Sequence, residues 1–165
     1  MTRSYAYKLI RPDSIPDALK KSERYRLLGE PDEAESVCLD ILKVDSGNQY
    51  ALVDLILALT DQFPRERNPR VKLAQQYVAL LTDEYQRQYY TAVVLEREAR
   101  TQKERDTPPA IVFLMYSDAM ECYEGAAAIS PPGDDSAVLR WNACMRAIRR
   151  RQLQPGLEPE SWEKD

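Results

Sequence analysis

At 165 residues the chain is long enough to bury the core of one domain. It has 11 prolines, no histidine and only 5 glycines, against the roughly twelve glycines of average usage. This disfavours sandwiches, barrels and glycine-rich phosphate loops, and it removes the commonest general base and zinc ligand. With 23 basic and 27 acidic residues the net charge is −4, which argues against a dedicated nucleic-acid binder and suits a cytoplasmic protein.

Residues 1–15 form an N-terminal segment. Through Arg11 it is basic and acid-free, with no long apolar run and no small-residue cleavage site, so it does not read as a secretory signal. An amphipathic transit segment is the alternative. Prolines then punctuate a series of helices. Pro16 begins the first, which ends at Leu28-Gly29, and Pro31 opens the second, with Asp32 and Glu33 in its first turn and Asp45-Ser46-Gly47-Asn48 closing it. The third spans about Gln49 to Phe63, where Leu52, Leu55, Ile56 and Leu59 recur with helical period. A loop from Pro64 to Asn68 follows, with Asn68 as N-cap and Pro69 as the first residue of a fourth helix carrying Leu73, Tyr77, Leu80 and Leu81.

After a break at Thr82-Asp83, a long fifth helix is predicted from Glu84 to Arg105. Thr107-Pro108-Pro109 starts the sixth. Its run Ile111 to Tyr116 has strand propensity, but it continues without a turn signal through Ala119, Tyr123 and Ala126, so length favours helix. Pro131-Pro132-Gly133 ends it, and Asp134 or Asp135 caps a seventh helix reaching Gln152. Residues 153–165 are predicted to be an acidic, disordered tail. The chain is thus all-α, with one helical domain over residues 16–152. No apolar run reaches the ~18 residues that span a bilayer. Cys38, Cys122 and Cys144 are odd in number and widely spaced, which suits reduced, buried thiols.

The helices show internal self-similarity. In the first hairpin Tyr25, Gly29, Ala34, Cys38, Ile41 and Ser46, and in the last Ala119, Tyr123, Ala126 and Pro131, are spaced as in a tetratricopeptide repeat; Ala137, Trp141 and Asn142 begin another. The middle repeat is degenerate: Asn48, Ala51 and Leu52 start it, and a loop insertion separates them from Ala74 and Val78. From Pro16 to Gln152 the chain resembles the tetratricopeptide-repeat family. The resemblance implies a right-handed α-solenoid of three helical hairpins plus a C-terminal capping helix; a plain helical bundle is the alternative.

Members of this family are scaffolds in which the first helix of each hairpin lines a groove for a partner peptide or helix. Transferred by position, the groove here includes Leu19, Glu23 and Arg26, then Tyr50, Val53, Asp54, Leu57 and Asp61. Further along come Gln86, Tyr89, Tyr90, Val93 and Arg97, then Leu139, Arg140, Ala143 and Arg146. Asp54, Asp61, Arg97 and Arg140 are expected to select charge, and one of the adjacent Tyr89 and Tyr90 is expected to be exposed, while Tyr77, Tyr116 and Tyr123 are expected in the core. Leu19 and Glu23 stand where members that grip a C-terminal carboxylate carry Lys and Asn, which argues against that clamp.

The expected function is a protein-interaction adaptor with no cofactor, no metal and no catalytic residues, since no phosphate-loop, dinucleotide or nucleophile-elbow motif is present. Three alternatives remain open. One is a self-associating module. Another is anion or RNA binding by Arg140, Arg146, Arg149, Arg150 and Arg151, which also suit a helix C-terminus. The third is a fold-back of the acidic tail with Trp162 onto that basic helix or the groove.

Overall fold

In the computed structural model, residues 3–65, 67–103 and 106–156 are described, the side chains of residues 67 and 68 excepted. A 3-10 turn at Pro12–Ser14 leads into seven helices, with no strand among the described residues: α1 (Ile15–Leu27), α2 (Pro31–Val44), α3 (Gln49–Asp61), α4 (Arg67–Val78), α5 (Glu84–Thr101), α6 (Pro109–Ala128) and α7 (Ser136–Arg150). Prolines stand in the first turn of α1, α2 and α6, where a missing N–H costs no intrahelical bond. Asn48 caps α3 by accepting from the Ala51 N–H at 2.9 Å, and Asp83 caps α5 by accepting from the Gln86 N–H at 2.9 Å. Gly29 and Gly133 follow α1 and α6 with φ of +75° and +83°, the left-handed region where a side chain is strained.

Several boundaries differ from the sequence expectation, whereas the start of α7 at Asp134-Asp135 agrees with it. Helix α3 stops at Asp61, and α4 begins at Arg67, so Asn68 lies inside the helix instead of capping it and Pro69 is its third residue. Helix α5 ends at Thr101, where Gln102 turns to extended backbone (ψ 126°); Glu104 and Arg105 lie outside the described residues. Asp135 holds the N-cap position of α7 without a side-chain bond, and it is Asp134 that accepts from the Ser136 N–H at 2.9 Å. Finally, Leu153 is buried against the α5–α7 core, and its N–H donates to the Ile148 carbonyl. The packed unit therefore reaches past residue 152. Residues 157–165, with Trp162 and the acidic tail, lie outside the described residues.

Each helix packs on the next, and in addition α1 packs on α3 and α3 on α5. Helices α1, α3 and α5 therefore share one side of the molecule. Two hydrophobic clusters fill the interior. One joins Cys38, Leu52, Leu55, Ile56, Leu59, Phe63, Val71, Ala74, Val78 and Leu81, and the other joins Ala92, Val112, Tyr116, Ala119, Tyr123, Ala126, Ala137, Cys144 and Ile148. Helix α5 serves both, with Val94 in the first cluster and Val93 in the second. Fully buried Ala34, Ala119 and Ala126 leave room for close helix approach. The β-prone run Ile111 to Tyr116 is helical because Val112 and Tyr116, at i and i+4, both reach this core.

Candidate functional site

The shared side of α1, α3 and α5 carries a cleft of about 660 Å³, lined by Leu19, Lys20, Glu23, Gln49, Tyr50, Val53, Asp54, Gln86 and Tyr90. Seven of these lining residues (all but Lys20 and Gln49) are positions that the repeat spacing assigned to a groove. Their convergence follows from helical geometry. Tyr50, Val53 and Asp54 lie on one face of α3, as Leu19 and Glu23 do on α1, and the packing of α1 on α3 and α3 on α5 aligns those faces. Tyr50 is 76% exposed, a large ring left in solvent at the mouth of the cleft.

Asp54 is half-buried, and burial pushes its carboxyl above the usual carboxylate range; the Ser22 hydroxyl and the charge of Arg26 act the other way, while Glu23 adds to the rise. Tyr90 is also half-buried, and its phenol is pushed up to about 12, chiefly by burial.

Further along the same side an ionic bridge ties three helices. The Asp61 carboxylate accepts from Arg26 Nε of α1 at 2.9 Å and from Arg97 Nη1 of α5 at 2.7 Å. Arg26, Asp61 and Arg97 thus hold one another, two guanidinium groups sharing one carboxylate, so the charge of Asp61 is answered within the fold. Tyr89 and Tyr90, expected to divide between core and surface, are both half-buried. Their rings meet edge to face at 5.1 Å, and Tyr89 also packs against buried Tyr123 at 5.8 Å and stacks on Tyr85 at 5.9 Å. Helix α5 has neighbours on both flanks, so adjacent positions can both be covered. Leu57 packs onto the α5–α7 core, Tyr77 is half-buried against the first cluster, and Tyr116 and Tyr123 are buried as expected.

Arg140 has a different setting. It bonds Glu96, which is only 3% exposed: Arg140 Nε donates to Oε2 at 3.1 Å and Nη2 donates to Oε1. Arg100 Nη2 donates to the same Oε1 at 2.9 Å, and the Tyr123 hydroxyl donates to Oε2 at 2.6 Å. Burial works to raise the Glu96 carboxyl, but the bonds and charges from Arg140, Tyr123 and Arg100 outweigh it and hold it below its ordinary value. The Tyr123 phenol is pushed up, chiefly by its own burial and by Glu96. Arg151 donates to the Ala99 and Gln102 carbonyls at 3.4 and 2.7 Å, satisfying the C-terminal end of α5. Of the basic run on α7, Arg146, Arg149 and Arg150 are solvent-exposed.

Sequence reading missed two elements of this side. Lys20 and Gln49 join the cleft although repeat spacing did not assign them, and Gln49 Oε1 accepts from the Thr82 N–H at 2.9 Å, fixing the α4–α5 turn beside it. Glu96 gave no signal of burial, because it sits in a run of charges at the end of α5. Among the described residues no group of acids and thiols is arranged to hold a metal, and no helix is long and apolar enough to cross a membrane. Cys38 and Cys144 are buried, their thiols pushed up to about 11 and about 12 chiefly by that burial; Cys122 is half-buried and also raised. No family model, curated protein or solved structure matches the chain.

Proposed function

We propose that the protein is a non-enzymatic interaction adaptor of tetratricopeptide-like architecture that receives a partner peptide or helix in the cleft of α1, α3 and α5. The observation that carries this reading is the cleft itself, where exposed Tyr50 and half-buried Val53, Leu19 and Tyr90 alternate with polar groups. Such a mixture of aromatic, aliphatic and charged surface suits a protein partner. Arg26, Asp61, Arg97 and Arg140 act in this reading as the frame that fixes the groove, since each is held in an ion pair with another helix. The test is quantitative co-purification from the native host with the wild-type chain and a Tyr50→Ala, Leu19→Ala variant of unchanged helicity. Loss of the same partners is expected, and unchanged recovery overturns the groove assignment.

Self-association is a second reading, supported by Val138 and Leu139, 45% and 64% exposed on α7, where a further helix of a stack would pack. Sedimentation across a concentration series decides it: a strict monomer at the highest concentration removes this reading.

A further inference from the structure

The charge of the cleft narrows the class of partner. Among its lining residues Glu23 and Asp54 are the acids and Lys20 the one cation, so the lining itself favours an arriving cation over an anion. Asp54 is the more telling of the two acids. Glu35, Asp61 and Glu96 are also shielded carboxylates on α2, α3 and α5, and each accepts from an arginine at 2.7–2.9 Å. Asp54 instead has the Ser22 hydroxyl as its hydrogen-bond partner and feels the charge of Arg26, whose Nε is already bonded to Asp61. Partial burial of a carboxylate without its own cation is unfavourable, and a cation brought by a partner relieves it. The walls beside it are suited to the same guest. Tyr50 and Tyr90 supply aromatic lining that suits a guanidinium or ammonium group, and Val53 and Leu19 supply apolar lining that suits its methylene stem.

We infer that the cleft recognises a basic side chain, arginine or lysine, presented on an otherwise apolar partner peptide, with Asp54 and Glu23 meeting the charge and Tyr50 and Tyr90 flanking it. This rests on the groove reading above and adds the partner's chemistry. The cation enters between α1 and α3, and flanking apolar residues of the peptide continue along α3 and α5.

The probes are pools of short acetylated, fluorescently labelled peptides of Ala, Leu and Tyr with one central Arg, Lys, Gln or Glu. Anisotropy is read for the wild type, Asp54→Asn and Tyr50→Ala, at low and high salt, with helicity checked by circular dichroism. A hydrogen bond to a charged group predicts that the Arg or Lys pool binds about tenfold or more tighter than the Gln pool. Asp54→Asn is expected to abolish that preference, and high salt to weaken it. Equal binding of all pools, tighter binding of the Glu pool, or a basic preference that survives Asp54→Asn overturns the inference. If a non-basic pool binds and Tyr50→Ala releases it, the groove reading stands and only the cationic partner falls. If Tyr50→Ala changes nothing for any pool, the groove reading falls with it. Concentration-dependent dimerisation abolished by Asp54→Asn also overturns the inference, by identifying the guest as the basic segment around Arg3, Lys8 and Arg11 of a second copy.

Discussion

Replacing Arg140 with methionine is the sharpest test of how the C-terminal half is held together. Methionine keeps the apolar stem of the side chain and removes the fork that bonds both oxygens of Glu96. Breaking a buried pair by removing one partner costs about 3–5 kcal/mol, because the other charge is left without compensation. Here Arg100 and Tyr123 still bond Glu96, so the lower end, about 3 kcal/mol, is expected. With a urea m-value of about 2 kcal/mol per molar, the unfolding midpoint falls by about 1.5 M. At about 2–4 °C per kcal/mol for a chain of this size, the thermal midpoint falls by roughly 6–12 °C.

The pH dependence gives the same experiment a second readout. Glu96 titrates lower in the folded protein than in the unfolded chain. Its contribution is therefore complete above the unfolded carboxylate range and is lost as pH falls through the depressed folded value. The gap between wild type and Arg140→Met narrows along that descent. Pairing the change with Glu96→Gln in a double-mutant cycle isolates the interaction from the loss of packing. A midpoint change within error at neutral pH, or additive single variants, refutes the claim that this ion pair ties α5 to α7.

Other outcomes follow from the same structure. Asn48→Ala removes the bond to the Ala51 N–H and lowers stability by about 1 kcal/mol in denaturant unfolding; no change shows that the cap is replaced by solvent. Gly133→Ala strains a backbone at φ +83° and costs about 1 kcal/mol by the same measurement, whereas a stabilised variant refutes the left-handed turn. In native protein at mildly alkaline pH a thiol reagent labels half-buried Cys122 first and leaves buried Cys38 and Cys144 until denaturant is added, as mass mapping will show; early labelling of Cys38 contradicts its environment. Asp54→Asn raises the urea midpoint at neutral pH, because a folded carboxyl raised above its unfolded value contributes stability that is lost as pH rises through that folded value. The gain shrinks as the pH is lowered below the carboxylate range, and a lower midpoint at neutral pH refutes the unfavourable burial of this charge.

The helical framework was legible wherever a single local signal decided it. Leu52, Leu55, Ile56 and Leu59 recur at helical spacing and are all buried, because one face of α3 meets the core and period alone reports that. Prolines marked helix starts for equally local reasons, whereas Asn48 and Asp83 read only as the end of one segment and a break, and the structure makes them the caps of α3 and α5. What escaped was pairing at a distance. Glu96 lies in a charged stretch that reads as solvated, and its partner Arg140 is 44 residues further on; nothing in either neighbourhood announces the other. The bridge Arg26–Asp61–Arg97 was found as three groove residues but not as mutual partners, since alignment of α1, α3 and α5 brings them together. The α3–α4 junction differs for another reason: proline is accepted throughout the first helical turn, so Pro69 locates the start of α4 only to within that turn.

The same contrast explains why the cleft stands out from the rest of the fold. A fold stabilised by arginine–carboxylate pairs answers most of its shielded acids internally: Glu35 with Arg70, Asp61 with Arg26 and Arg97, and Glu96 with Arg140 across helices and with Arg100 of its own helix. Those residues hold helices in register and have little left to offer a partner. Asp54 breaks the pattern on the same face of α3 as Asp61, two helical turns away, where it meets a serine and an exposed tyrosine instead of an arginine of its own. Local departures from an otherwise consistent design tend to sit at functional positions, where stability is given up for recognition. In the proposed reading Asp61 and Asp54 thus mark a closed, structural end and an open end suited to complete its charge with a guest, and the Asp54→Asn variant is expected to be at once the more stable chain and the weaker binder.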